Sequence, residues 1–204
     1  MVSVVAIVAG LVAGCTVSEA GSATPGANTG ATGTSELPTS ESSSSSTVDI
    51  PPPPKDLSLD GVDPCTLFTD AQRAQLQVDD VSPDDGSDAG TIYKDMKACT
   101  LDKSAEEPFH SYGVVAVTDV DVSFWINEDT NADSELISIA GYPAAKFHIK
   151  GGGTYDCAIA LGVAKNQHLH VEMASLSDDV QGEQLCQGSE HAAEMALQTL
   201  QTLR

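Results

Sequence analysis

The chain has 204 residues, with 30 acidic and 9 basic side chains and a formal charge of −21 at pH 7. Proteins that bind nucleic acid through its phosphates need clustered Lys and Arg, so this balance excludes nucleic acid as a partner. It also disfavours anionic membrane surfaces. Aromatic residues make up 4% of the chain, with Trp125 as its single Trp, which argues against a base-stacking platform. The length allows one ordinary domain with extensions.

The chain begins with a stretch that is typical of an exported lipoprotein. Residues 2–13 form an apolar run too short to span a bilayer, and the run ends in Leu-Val-Ala-Gly-Cys at Cys15. Small residues before a Cys match the lipobox of bacterial lipoproteins. We therefore expect residues 1–14 to be a signal peptide and Cys15 to carry palmitate-type acyl chains that anchor the protein to the outer face of the cell membrane. A signal peptide usually starts with basic residues, which are missing here, so we expect the true translation start to lie upstream of Met1. The alternative is a cleaved secretory signal with an accidental Cys.

A low-complexity segment follows the lipobox. Residues 16–60 are rich in Gly, Ala, Ser, Thr and Pro, with a serine run at 42–46 and prolines at 51–54. Such a composition cannot bury enough apolar surface to offset the entropy of ordering. We therefore expect residues 15–60, the acylated Cys included, to form a disordered tether and residues 61–204 to form the extracytoplasmic domain.

Four cysteines remain in the domain: Cys65, Cys99, Cys157 and Cys186. An even number in an exported domain indicates two disulfides, for which three connectivities are possible. We favour Cys65–Cys99 and Cys157–Cys186, because each closes a loop of about thirty residues within one half of the domain. A four-cysteine zinc site is disfavoured because the sequence has no Cys-x-x-Cys pair.

The first half of the domain has weak periodicity. Asp63-Pro64 and Thr69-Asp70 are helix starts, which predict one bent helix or two short ones over residues 64–77. The remaining expectations are an acidic loop at 79–90, short strands at 92–96 and 99–102, a Val-rich strand at 112–118, extended chain at 120–126 and either a helical turn or a loop at 129–138.

The second half has clear alternation. Apolar residues recur at every second position in 143–149, 155–163 and 169–173, with turns at 151–153 and 165–167, which predicts an antiparallel meander. An amphipathic helix at residues 183–203 closes the chain. The fold class is therefore α+β, an antiparallel sheet with an N-terminal and a C-terminal helix.

The order of these motifs resembles a family of exported actinobacterial lipoproteins of unknown function. The shared features are the lipobox, the tether, Asp63-Pro64-Cys65, Cys99, Gly141-Tyr142-Pro143-Ala144, Cys157 and a last Cys in the C-terminal helix, here Cys186. Family members commonly carry Trp two residues after the second Cys, where this chain has Leu101. The resemblance covers the whole domain, and it implies no catalytic residues.

The strongest candidate for a metal or catalytic site is the stretch His168-Leu169-His170-Val171-Glu172. Side chains at i, i+2 and i+4 of a strand share a face, so two imidazoles and a carboxylate stand side by side, as in some metal sites. The favoured interpretation is nevertheless an ordinary half-exposed strand, since apolar residues alternate with these three. With a turn at 165–167, His168 faces Ala164 and His170 faces Gly162, and the face is either open or covered by a helix.

A basic stripe lies on the strand that precedes the glycine turn. Lys146, His148 and Lys150 share one face, and we expect them to pair with acids such as Asp156 and Asp119 or to be solvated. The turn places His148 opposite Asp156, roughly 20 Å along the sheet from His170 and too far away to join a common metal site.

The other charged groups give weaker evidence for a metal site or a catalytic site. The acidic loop (Asp79, Asp80, Asp84, Asp85, Asp88) lacks calcium-ligand spacing, and the stretch from Asp119 to Thr130 fails as an EF-hand because Phe124 stands where Gly is needed. The adjacent pair Glu106-Glu107 does not suggest a hydrolase, and His110 and His191 are expected to be isolated surface residues.

The sequence therefore favours a non-enzymatic binding or accessory domain without a cofactor, held at the membrane by Cys15, with an envelope protein or a small ligand as partner. A metal-dependent hydrolase that uses His168, His170 and Glu172 is the first alternative. A structural envelope component is the second.

Overall fold

One seven-stranded antiparallel sheet organises the domain, with the strand order β1-β2-β3-β7-β6-β5-β4. The computed structural model describes residues 48–84, 93–152, 156–177 and 180–204. The predicted signal peptide, Cys15 and most of the predicted tether lie outside these residues. The strands are β1 (Asp80–Asp84), β2 (Ala98–Lys103), β3 (His110–Val117), β4 (Ala132–Ile139), β5 (Tyr142–Ile149), β6 (Asp156–Ala164) and β7 (Gln167–Ser175).

Four helical elements accompany the sheet. They are a 3-10 helix (Pro64–Leu67), α1 (Asp70–Leu76), the single turn α2 (Ser123–Ile126) and α3 (Glu183–Leu203). Asp63 accepts a hydrogen bond from the amide of Cys65, and Thr69 forms a capping box with Gln72, so the two predicted start signals produce two short helices. In the described part of the chain, no helix has both the length and the hydrophobicity to cross a membrane.

The sheet is buried on both faces. The inner face packs against α3 and the 3-10 helix, with fully buried Leu161, Leu169 and Val171 at its centre. The outer face is covered by residues 93–96 and by the crossover between β3 and β4, which contains α2. Antiparallel sheets are commonly solvated on one face, so the second cover sets this domain apart.

Both predicted disulfides are confirmed. Cys65–Cys99 joins the 3-10 helix to β2, and Cys157–Cys186 joins β6 to the first turn of α3. Each therefore ties a helical element to the inner face of the sheet. Leu101, at the position where the resembling family has Trp, is fully buried in the same core.

The packed part of the chain starts before residue 61. Leu57 and Leu59 are 0% and 1% exposed, although their composition had assigned them to the tether. The amide of Leu57 donates to the carbonyl of Val163 at 2.8 Å, and the amide of Leu59 donates to the side chain of Gln167. The segment before residue 61 therefore packs against the sheet through Leu57 and Leu59, although most of its other residues are polar or proline.

Several element predictions for the first half were wrong. Residues 80–84, assigned to an acidic loop, form β1, and residues 132–139, left between helix and loop, form β4. Residues 123–126, expected to be extended, form α2, and residues 93–96 form a turn instead of a strand. In the second half, the meander and α3 match the prediction.

Candidate functional site

The histidines of β7 lie in the buried outer layer of the sheet. His168 and His170 are 0% and 4% exposed, whereas the side chain of Glu172 is 37% exposed. All three project to one face, as the alternation predicted. The face is covered, so a ligand in bulk solvent does not meet the imidazoles directly.

His168 is held by the crossover that covers it. Its Nδ1 lies 2.8 Å from the carbonyl oxygen of Val120, and since a carbonyl can only accept, Nδ1–H is the donor. Burial, which would strip the charged ring of its hydration, and to a smaller extent the neighbouring His170 together lower the pKa of His168 to about 4. The imidazole is therefore neutral at pH 7, and its hydrogen bond to the Val120 carbonyl holds the crossover against β7.

His170 links Tyr93 to Glu172. The Tyr93 hydroxyl lies 2.9 Å from Nδ1, and Nε2 lies 3.4 Å from a carboxylate oxygen of Glu172. Burial raises the pKa of Tyr93 far above its usual range, and the charge of Glu172 adds to the effect. The phenol therefore stays protonated and donates to Nδ1, which leaves Nε2–H to donate to Glu172.

Aromatic rings complete this layer. Trp125 of α2 stacks on Phe147 of β5 with ring centroids 3.8 Å apart and planes 13° apart. Tyr93 lies 4.7 Å from His170 by the same measure. Sequence reasoning missed this cluster. The only signal for it was the single Trp, whose large apolar surface needs a partner.

The three weak metal-ligand candidates, His168, His170 and Glu172, do not form a three-ligand site. Within the described ranges, the one group with three ligand atoms inside 4.8 Å is His148, Cys157 and Cys186. His168 is bonded to a carbonyl, and only His170 touches Glu172. The geometry therefore does not bring His168, His170 and Glu172 together around one position.

The predicted register between β6 and β7 was wrong. His168 pairs with Gly162 and His170 with Ala160, two residues earlier in β6 than expected. The pairing of Ala164 with Gln167 leaves a tighter turn than the one predicted, and the ladder shifts between Gly162 and Ala164. The tighter turn and the bulge each shift the register by one residue, so the total shift of two leaves every side chain on its predicted face.

The two lysines of the basic stripe, Lys146 and Lys150, form ion pairs with other acids than those expected. Lys146 pairs with Glu135 of β4 and Glu190 of α3, at 3.1 and 3.4 Å. Lys150 lies 3.9 Å from Asp133, also on β4. The predicted partners Asp156 and Asp119 do not form these ion pairs, because sequence reasoning had not recognised β4 as the neighbouring strand.

The predicted pairing of His148 with Asp156 was wrong, because β5 pairs with β6 one residue further along, with Lys146 opposite Ile159 and Phe147 opposite Ala158. Nδ1 of His148 nevertheless donates a hydrogen bond to the backbone carbonyl of Asp156 at 2.7 Å. Its Nε2 approaches the disulfide on the inner side of the sheet, whereas His170 belongs to the outer layer. The two histidines therefore share no site.

Two of the remaining acidic candidates, Asp79 and Asp121, have structural partners. Asp79 accepts hydrogen bonds from Ser104 and Ala105, which hold the pKa of its carboxyl below its usual value. Asp80 and Asp84 lie in β1, and Asp85 and Asp88 lie outside the described residues. Asp121 accepts from the amide of Ser123 at the start of α2.

The other isolated residues divide into exposed and buried ones. Glu106, Glu107 and His191 are exposed. His110 was expected at the surface, but it is 6% exposed and lies 3.1 Å from the carbonyl of Leu76 through Nε2. It therefore connects β3 to the end of α1.

An open apolar cleft lies beside α2. It has a volume of about 420 Å³ and is lined by Phe124, Trp125, Asn127, Asp129, Thr130, Asn131 and Ile149. Phe124 and Ile149 are 39% and 38% exposed, although both are large apolar residues. We call this feature the α2 cleft.

A second, more polar cavity adjoins the α2 cleft. It has a volume of about 800 Å³, and its lining includes four acids, Asp119, Asp121, Glu128 and Asp129. Phe124, Asn127 and Asp129 line both spaces. The α2 cleft therefore joins apolar walls to a carboxylate-rich rim.

Comparisons with known proteins give one match. The model of a family described as protein of unknown function (DUF3558) matches residues 10–199. Searches of curated proteins and of solved structures found no match. Since the family model covers nearly the whole chain, the protein belongs to the DUF3558 family of proteins of unknown function.

Proposed function

We propose that this protein is a cell-envelope lipoprotein of the actinobacterial type, acylated at Cys15, whose folded domain binds a partner through the α2 cleft. The observation that carries the binding role is the cleft itself, with exposed Phe124 and Ile149 beside a carboxylate rim. Large apolar side chains that remain exposed at a concave surface are typical of interaction sites.

The anchoring part of the proposal is supported by the sequence and by the disulfides. The family match begins at residue 10, so the lipobox Cys15 lies inside the matched region. Disulfides persist in oxidising compartments, and the domain has two. In the proposed arrangement, the Ser/Thr/Gly/Pro-rich segment after Cys15 holds the domain away from the bilayer.

The chemistry of the α2 cleft indicates the chemistry of its partner. Phe124 and Ile149 offer contact to an apolar group, while Asp129 and Glu128 favour a positive charge next to it. The chain as a whole carries −21, which attracts cationic partners over a longer range. A protein segment with an apolar anchor next to Lys or Arg has both features.

Metabolic labelling with a palmitate analogue tests the anchor. We expect label on the full chain and none on Cys15→Ala, which should leave the membrane fraction. An unlabelled wild-type chain would contradict the lipoprotein assignment.

Site-directed photocrosslinking in living cells tests the binding surface. A photoreactive phenylalanine analogue replaces Ile149 in the full chain, and in a control variant it replaces Leu203, which is also exposed but lies at the end of α3. We expect a discrete adduct from position 149 only, and we expect Asp129→Lys to weaken it because a cationic partner is repelled. Equal adducts from both positions, or none from position 149, would overturn the role of the α2 cleft.

A further inference from the structure

A histidine nitrogen lies against the disulfide between β6 and α3. Nε2 of His148 is 3.3 Å from Sγ of Cys186, and this nitrogen and both sulfur atoms of Cys157 and Cys186 lie within 4.8 Å of one another. Both cysteines are buried, at 1% and 3% exposure, while His148 is half-buried. Three soft or borderline ligand atoms are therefore held together at the edge of the core.

The orientation of the ring favours metal binding at Nε2. Nδ1–H donates to the carbonyl oxygen of Asp156 at 2.7 Å, which leaves the lone pair of Nε2 directed toward the sulfur atoms. Histidines that bind metals usually donate their other ring N–H to a carbonyl or carboxylate in this way. Because Asp156 directly precedes Cys157 in β6, the same strand holds the ring and supplies one of the sulfur atoms.

The separation between the histidine nitrogen and the Cys186 sulfur is close to that in a tetrahedral zinc site. With Zn–S of about 2.3 Å and Zn–N of about 2.0 Å, a nitrogen and a sulfur on one Zn²⁺ lie about 3.5 Å apart. The separation of 3.3 Å between His148 and Cys186 is near this value. Two Cys and one His with one open position form a known ligand set for zinc.

We propose that the dithiol form of this domain binds one Zn²⁺ through Cys157, Cys186 and His148. Every chain is synthesised with thiols, so the dithiol form precedes the disulfide. On binding, each of the two thiols releases one proton and forms one Zn–S bond. Nε2 of His148 donates its lone pair to the metal, and a water molecule occupies the fourth position. No electrons are transferred. Zinc binding and disulfide formation exclude each other because both use the same sulfur atoms. This inference is independent of the α2 cleft.

Titration of the reduced full chain with Zn²⁺, against a chromophoric chelator, tests the proposal. We expect one Zn²⁺ per chain, and we expect His148→Ala to weaken binding about 100-fold or more, because losing a ligand costs at least as much as losing the group that orients it. The control is His191→Ala, which removes an exposed histidine from α3 and should bind like the wild type. The oxidised chain should not bind at this site.

A second readout identifies the sulfur atoms even where reduction loosens the fold. Alkylation of the reduced chain with and without Zn²⁺, followed by peptide mass spectrometry, should show protection of Cys157 and Cys186 while Cys65 and Cys99 still react. Unchanged affinity in His148→Ala, equal protection of all four cysteines, or protection of none would overturn the proposal.

Discussion

The hydroxyl of Ser189, fully buried in α3, donates to the carbonyl oxygen of Cys157 in β6 at 2.6 Å. Oγ of Ser189 also accepts a hydrogen bond from the amide of Met173 in β7 at 2.8 Å. Cys157 and Met173 are paired across the two central strands, so one side chain of the helix bridges a register pair of the sheet. Together with the neighbouring disulfide, this bridge fixes how α3 lies on the inner face.

Replacing Ser189 by Ala should destabilise the domain by about 1–3 kcal/mol, since two buried backbone groups lose their partner. Urea denaturation followed by circular dichroism measures the free energy of unfolding. The control is Ser134→Ala in the edge strand β4, where the side chain is exposed and the expected change is within about 0.5 kcal/mol. Equal stabilities for the two variants would show that the strands repair the gap by themselves.

The buried His168 makes stability depend on pH. Its pKa is about 4 in the folded protein and about 6.5 in an unfolded chain, so between these values the unfolded state binds more protons. Stability is therefore lost as the pH falls from about 6.5 toward 4, by about 3 kcal/mol in total, and this group adds no further loss below both values.

His168→Asn keeps an N–H donor for the Val120 carbonyl and removes the titrating ring, so its stability should change less between pH 6.5 and 4.5 than that of the wild type. Urea denaturation at a series of pH values gives both profiles, and His191→Asn serves as the exposed control. If the profiles of wild type and His168→Asn run parallel, the imidazole does not cause the acid sensitivity.

The second half of the domain was predictable because its strands bury alternating residues. Leu169 and Val171 are fully buried on the inner face, and the polar residues between them gave a clear period of two. The disulfide pairing followed from short loop closures. The same alternation hid the outer layer, because His168 and His170 read as solvent-facing residues although the crossover covers them.

The first half could not be predicted well for three physical reasons. The edge strand β4 exposes consecutive residues, Asp133, Ser134 and Glu135, so it has no alternation to detect. The helix α2 has 4 residues, which is too few to show a helical period. The cover over His170 comes from Tyr93, which is far from β7 in the sequence and meets it only in the folded chain.

Leu57 tests whether the segment before residue 61 belongs to the folded domain. Its side chain is fully buried, so Leu57→Ala should lower the free energy of unfolding by about 2–5 kcal/mol. Leu203→Ala is the matched control, since it removes the same atoms from a side chain that is 51% exposed, and its effect should be much smaller. Thermal and urea denaturation measure both. A Leu57→Ala variant as stable as the control would mean that the segment docks without contributing to stability.

Gly188 of α3 tests how closely the helix approaches the sheet. A Cβ at this position would overlap Sδ of Met173 and would lie 3.5 Å from the hydroxyl of Tyr112. Helix propensity alone favours Ala over Gly by about 1 kcal/mol, whereas overpacking a core costs about 1–3 kcal/mol. We therefore expect Gly188→Ala to lower stability by about 1 kcal/mol, although it improves the helix.

A double-mutant cycle with Met173→Ala separates the two effects. Met173→Ala alone should cost about 2–5 kcal/mol through the cavity it leaves. In the double variant the new methyl group occupies part of that cavity and no longer meets the sulfur, so the combined loss should be smaller than the sum by at least about 0.5 kcal/mol. Additive losses, measured by urea denaturation, would mean that the helix shifts away from β7 and that the contact between Gly188 and Met173 does not set its position.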